Sequence, residues 1–161
     1  MAFVGIVVDK KEENLFENKL NEIFSKLEQK NTIILINDTS VENIKNVKFE
    51  IVLIDNCKTI KNLDKLRNII QNTSYLVINT DNCNTDIIKG IELTVISYGF
   101  NTKATITMSS VEEEKMIFCI QRNIKNLRDN IIEAQEIDIK IQEESSKYLE
   151  ISTSIIEILY K

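Results

Sequence analysis

The sequence has no histidine, no tryptophan and no proline, and only three glycines among its 161 residues. Without imidazole there is no histidine general base, no Ser-His or Cys-His pair and no histidine metal site. The glycines, Gly5, Gly90 and Gly99, lie far apart and none precedes a lysine. This removes the Gly-Lys-Ser/Thr core of a P-loop and the clustered glycines of a dinucleotide fingerprint. The three cysteines, Cys57, Cys83 and Cys119, include no Cys-x-x-Cys pair. Their odd number predicts reduced thiols, and Cys119, inside the apolar run 116–120, reads as a small core residue. A closed zinc site would need carboxylates, which is uncommon for structural zinc. No metal, cofactor or enzymatic constellation is expected.

What is present supports one packed, water-soluble domain over residues 1–161. Apolar residues make up 43% of the chain and charged residues 28%, too apolar for a disordered segment. The formal net charge of −5 repels nucleic acid and anionic lipid, so neither is expected as a partner. The first apolar stretch, 3–8, has no basic segment before it and is too short to span a bilayer. A cytoplasmic location is expected.

Hydrophobic periodicity divides the domain into a strand-helix alternating part (1–93), a β-rich part (94–141) and a terminal helix (142–161). Residues 3–8, 32–36, 50–54, 75–78 and 95–98 are apolar runs that read as buried parallel strands. Asp9 and Glu12 have the spacing of a capping box. After them Leu15, Phe16, Leu20, Ile23, Phe24 and Leu27 make one helical stripe. Ile60, Leu63, Leu66 and Ile70 make another, and a short helix or turn is expected over 41–46. Beyond the Gly99-Phe100-Asn101 turn, residues 104–111, 116–120 and 131–141 follow one another without an intervening helix. They should pair antiparallel as a meander. The fold class is therefore α/β: a mostly parallel Rossmann-like open sheet, extended by an antiparallel meander and a terminal helix.

In such sheets ligands bind outside the carboxyl ends of the strands. Here those ends carry Asp9, Asn37, Asp38, Asp55, Asn79, Thr80 and Asp81. The same residues also serve as helix caps and turn formers. One alternative is a plain small-ligand site at this rim. Another is a phosphoryl receiver, in which Asp9 and Asp55 hold Mg²⁺, Asp55 attacks phosphorus, and Thr80 and Lys103 sense the phosphoryl group. Against the receiver, Asp9 is followed by Lys10-Lys11 instead of a second acid, and Ala104 follows Lys103.

The stretch Tyr75-Leu76-Val77-Ile78-Asn79-Thr80-Asp81-Asn82 resembles the "LVLNADD" strand end of Mur ligases, the ATP-dependent amino-acid ligases of peptidoglycan synthesis. Val95-Ile96-Ser97-Tyr98-Gly99-Phe100 is similar to the "VITYGF" strand of the same central domain. The segment 101–107, with Gln121-Arg122 and Glu133-Ala134-Gln135-Glu136, is similar to small Mur-ligase-like proteins of Gram-positive bacteria. The resemblance covers about a third of the chain. It implies a retained scaffold with a ligand cleft near Asn79, Asp81 and Tyr98, acting as a binding or regulatory module in envelope biology. The family's P-loop, its metal-organising histidine and its substrate and carboxy-terminal domains have no counterpart here, so acyl-phosphate chemistry is not implied.

The terminal helix, read from about residue 143, carries Ile151, Ile155, Ile156, Ile158 and Leu159 over more than one face. Two exposed isoleucine-sized side chains would invite a partner. A homodimer or a protein partner docked through this helix is expected. The competing arrangement buries the stripe within one chain, between the sheet and the first helix.

Overall fold

The computed structural model describes residues 1–142 and 146–161. The alternating part forms β1 (Ala2–Val7), α1 (Glu13–Lys26), β2 (Asn31–Leu35), β3 (Phe49–Ile54), α2 (Leu63–Gln71), β4 (Thr73–Asn79) and β5 (Thr94–Gly99). Residues 41–46 contribute turns and no helix. The β-rich part gives β6 (Ile106–Val111), β7 (Lys115–Ile120), β8 (Ile124–Lys125), β9 (Ile131–Ile132) and β10 (Gln135–Lys140), and α3 (Lys147–Tyr160) follows. The expected start of that helix, near 143, lies outside the described residues. Within them Ser146 caps α3, its Oγ accepting from the Leu149 amide at 3.0 Å.

One eight-stranded sheet runs β10-β7-β6-β5-β4-β3-β1-β2. It is parallel from β2 through β6 and antiparallel across β6, β7 and β10; the antiparallel extension is the one the periodicity predicts, and the parallel β5–β6 pair is an addition to it. β6 pairs with β5 only through Tyr98↔Ile106 and Gly99↔Thr107. The rest of β6, and the hairpin it opens, therefore runs past the carboxyl ends of the parallel strands as a wall beside that rim. The expected strand 131–141 is interrupted. Asn123 Oδ1 draws off the Ala134 amide at 3.0 Å, and Ile131–Ile132 pairs with β8 in a separate ribbon.

Strand alternation assigns each face of the sheet its own core. Ile51, Leu53, Val77, Ile96 and Tyr98 pack beneath α1 and α3. Val52, Ile54, Leu76 and Ile78 pack on the opposite side with Leu66 and Ile70 of α2. β1 crosses between them at Gly5, where an added Cβ would lie 2.6 Å from Ile36 Cδ1 and 3.1 Å from the Phe49 ring. The glycine lets the neighbouring side chains close over the strand.

Two expectations change here. The Asp9–Glu12 capping box does not form: Glu12 takes the N-cap position of α1 without a side-chain cap, and its amide donates to the Asp9 carbonyl at 2.8 Å. The wide apolar stripe of α3 is consumed inside the chain. Ile151, Ile155, Ile156 and Leu159 are all fully buried, and Ile158 is half-buried. α3 lies alongside α1 and runs parallel to it, with Lys19 3.8 Å from Glu150 and Lys26 3.7 Å from Glu157. The stripe is wide because it meets two neighbours, the sheet and α1, and the two exposed isoleucine-sized side chains expected on it are not there. Among the described residues no helix is long and apolar enough to cross a membrane.

Ile156→Ala should cost about 2–5 kcal/mol in urea denaturation, the usual range for emptying a core isoleucine site. Ile156→Glu should abolish folding. A folded Ile156→Glu chain that merely sediments at lower mass than wild type would return α3 to the surface.

Candidate functional site

The strand order reverses between β1 and β3, because β1 leads outward to β2 while β3 begins the run in the other direction. The crevice beyond the carboxyl ends at such a switch point is where open α/β sheets place ligands. Asp9 follows β1 there, and Asp55 follows β3 with its amide donating to the Val7 carbonyl at 2.9 Å. Position 55 continues the 51, 53 alternation, so its side chain enters the α1/α3 core, where it is 2% exposed. A buried carboxylate needs donors. Tyr98 Oη donates to Asp55 Oδ1 at 2.5 Å, and Asn79 Nδ2 donates to the same oxygen at 3.1 Å. The register Asn79↔Tyr98 sets both donors side by side on β4 and β5. Burial pushes the Asp55 carboxyl above the usual carboxylate range, and the two hydrogen bonds pull against that rise. Burial and then the Asp55 charge push the Tyr98 phenol well up, so it stays a donor.

Asn79 uses its other end as well: its Oδ1 accepts the Asp81 amide at 3.0 Å. Asp81 in turn holds two elements together through Oδ2, which accepts the Phe100 amide at 2.6 Å and the Tyr148 hydroxyl at 2.9 Å. Tyr148 stacks edge-on against Phe100, with ring centroids 5.9 Å apart. Burial and the Asp81 carboxylate push its phenol up to about 12. Gly99 makes this possible. Its φ is +153°, and a Cβ there would sit 2.7 Å from the Asp81 carboxyl carbon. Asn79, Asp81 and Tyr98, the residues of the expected cleft, thus share one network with Asp55 at its centre.

A third carboxylate closes the other side. Glu12, at the start of α1, lies beside Ser146, the N-cap residue of α3. Its carboxyl is raised first by burial, then by the Asp55 charge, with Asp9 adding to the rise. Among the described residues no three of histidine, cysteine, aspartate and glutamate gather closely enough to hold a metal ion.

The four receiver residues are not brought to one place. Asp9 and Asp55 follow neighbouring strands, β1 and β3, at the switch point. Thr80 instead directs both its amide (2.9 Å) and its hydroxyl (3.3 Å) to the Tyr98 carbonyl. Thr80 and Lys103 border a cavity of about 450 Å³ on the α2 side of the sheet, together with Cys83, Asn84, Ser97 and Asn101. Tyr98 and Asp55 belong to the opposite face. The polar residues after β2 do structural work: Asn37 Oδ1 accepts the Ser40 amide at 2.9 Å, and Asp38 Oδ1 accepts the Lys61 amide at 2.7 Å.

Sequence reasoning missed Glu12, Tyr148 and Ser152 as members of the site. Ser152, fully buried on α3, lies near Tyr98 and donates its hydroxyl to the Leu149 carbonyl at 3.2 Å. A tyrosine and a serine within an isoleucine-rich helix are its one sequence signal, since each interrupts an apolar face that the sheet must cover.

The raised carboxyls give a pH dependence with a definite sign. A group whose folded pKa lies above its ordinary value, 3.8 for Asp55 and 4.5 for Glu12, stabilises the fold most below that value. The contribution is lost as pH rises through the folded pKa. Asp55→Asn keeps an oxygen for Tyr98 and Asn79 and removes the charge. It should therefore be more stable than wild type at pH 7 and gain nothing near pH 3, as read by urea denaturation at both. Tyr98→Phe should cost about 1–3 kcal/mol by leaving a buried acceptor short of its donor. Lower stability of Asp55→Asn at pH 7 would contradict the assignment. Comparison with protein-family models and with curated proteins gives no match to this chain.

Proposed function

We propose that the chain is a non-hydrolysing, Mur-ligase-like scaffold: a binding module whose ligand end is the carboxyl rim around Asp55, Asn79, Asp81 and Tyr98. One observation carries the reading. The loop from β1 to α1 is the position at which a nucleotide-binding sheet would present free amides and a lysine to phosphate. In this chain that loop is fenced by carboxylates. Asp9 takes the Glu12 amide through its carbonyl at 2.8 Å and approaches the Lys11 amide with Oδ1 at 3.4 Å. Glu12 and Asp55 add negative charge beside the first turn of α1. A polyphosphate would meet like charge there, whereas a neutral or cationic group would not.

Support for the scaffold half of the proposal comes from the two segments that carry the resemblance. They lie on adjacent parallel strands, and their polar ends meet in one hydrogen-bond network. The link to peptidoglycan synthesis rests on the resemblance itself.

The receiver reading keeps one favourable observation, Asp55 after β3 at the switch point. Its nucleophile, however, is 2% exposed and held by Tyr98 and Asn79. The two readings separate in one set of amide spectra. With Mg²⁺-ATP, and separately with beryllium fluoride plus Mg²⁺, the resonances of residues 8–13 and of Asp55, Thr80 and Lys103 should stay in place, and no phosphate should be released. Saturable shifts in 8–13 with ATP would overturn the non-hydrolysing scaffold. Shifts with beryllium fluoride that vanish in Asp55→Asn would establish the receiver.

A further inference from the structure

We propose that Cys57 and Cys83 are a redox-active dithiol, converted to an intrachain disulfide by a low-molecular-weight disulfide such as oxidised glutathione. The proposal is independent of what the rim binds.

The two cysteines are 26 positions apart and belong to no sequence motif, so the fold alone brings them together. β3 and β4 are parallel neighbours with Ile54↔Ile78 in register. Cys57 follows the end of β3 and Cys83 follows the end of β4. The Cys57 amide donates to Cys83 Sγ at 3.0 Å, and the Cys57 thiol points at the Asn82 carbonyl at 3.7 Å. An amide-to-sulfur contact of that length holds the two Cα atoms within about 7 Å, close to the span a disulfide bridges. Both cysteines are free thiols, as is Cys119 on β7, three strands away from β4 in the sheet.

Access is unequal and suits a two-step exchange. Cys57 is half-buried, while Cys83 is 6% exposed and borders the cavity that holds Thr80, Ser97 and Lys103. In the first step the Cys57 thiolate attacks one sulfur of the reagent, forming a mixed disulfide and expelling one thiolate. In the second, Cys83 loses its proton and attacks Cys57 Sγ, expelling the other. Two protein thiols are oxidised, one reagent disulfide is reduced to two thiols, and two protons pass from protein to product. Burial and the adjoining Cys57 push the Cys83 thiol up, so no stabilised thiolate opposes ring closure. The new bond would staple the loop after β3 to the loop after β4, directly beyond Asp55 and Asn79.

The test uses the full chain equilibrated in glutathione buffers of graded potential, acid-quenched, alkylated and weighed intact and after digestion. The expected oxidised species is two hydrogens lighter than the reduced chain, with the Cys57 and Cys83 peptides joined and Cys119 alkylated. Cys83→Ser should stop at a glutathione adduct on Cys57, and Cys119→Ser should behave as wild type. A measurement on the reduced wild-type chain guards against a misfolded variant. Phenylarsine oxide, which grips two neighbouring thiols at once, should bind one to one. Its affinity should be on the order of 100-fold above that of Cys57→Ser. Three alkylatable thiols in the most oxidising buffer, a persistent adduct on wild-type Cys57, or a link through Cys119 would each overturn the proposal.

Discussion

The arrangement of the rim depends on one buried oxygen. Asp55 Oδ1 takes hydrogen bonds from Tyr98 and Asn79, and through them ties the ends of β3, β4 and β5 into one layer. A carboxylate in that position is costly to desolvate, and two donors on one oxygen offset the cost only if both strands keep their register. The network extends outward from there: Asn79 orients Asp81, and Asp81 clasps Phe100 and Tyr148. The entry of α3 is thereby fixed relative to the sheet it covers.

The same helix completes the core. Its buried isoleucines fill the space between α1 and the strands, and at its far end the Tyr160 hydroxyl donates to Glu50 Oε2 at 2.5 Å while its ring meets Phe24 edge-on, 5.3 Å between centroids. α3 is therefore pinned at both ends by phenols reaching carboxylates, with apolar packing between. Its breadth of apolar surface is the geometry of a helix wedged between two partners.

The architecture was readable because it follows from periodicity. Continuous apolar runs such as 51–54 can be buried only between two layers, and the period-two stretch 104–111 can only be a strand with one wet face. The edges of elements were less readable. The split of the expected last strand depends on Asn123 capturing an amide eleven residues away, which no local pattern announces. The capping box failed because Asp9 turns the chain through its backbone carbonyl, leaving its carboxylate with only a long contact. Within the site, Asn79, Asp81 and Tyr98 were recognisable as strand-end residues. Their relation to Asp55 was not, since it requires knowing which face each strand turns toward α3. Thr80 shows the same limit: one position of alternation sends it to the opposite side of the sheet.

The parallel alignment of α1 and α3 has an electrostatic consequence. Both helices start at the carboxyl rim, so two aligned peptide dipoles direct their positive ends, roughly half an elementary charge each, at the same small region. Glu12, Asp55 and Asp81 collect there. The chain has in effect built an internal counter-charge into its backbone, and among the described residues no lysine or arginine forms an ion pair with these three carboxylates.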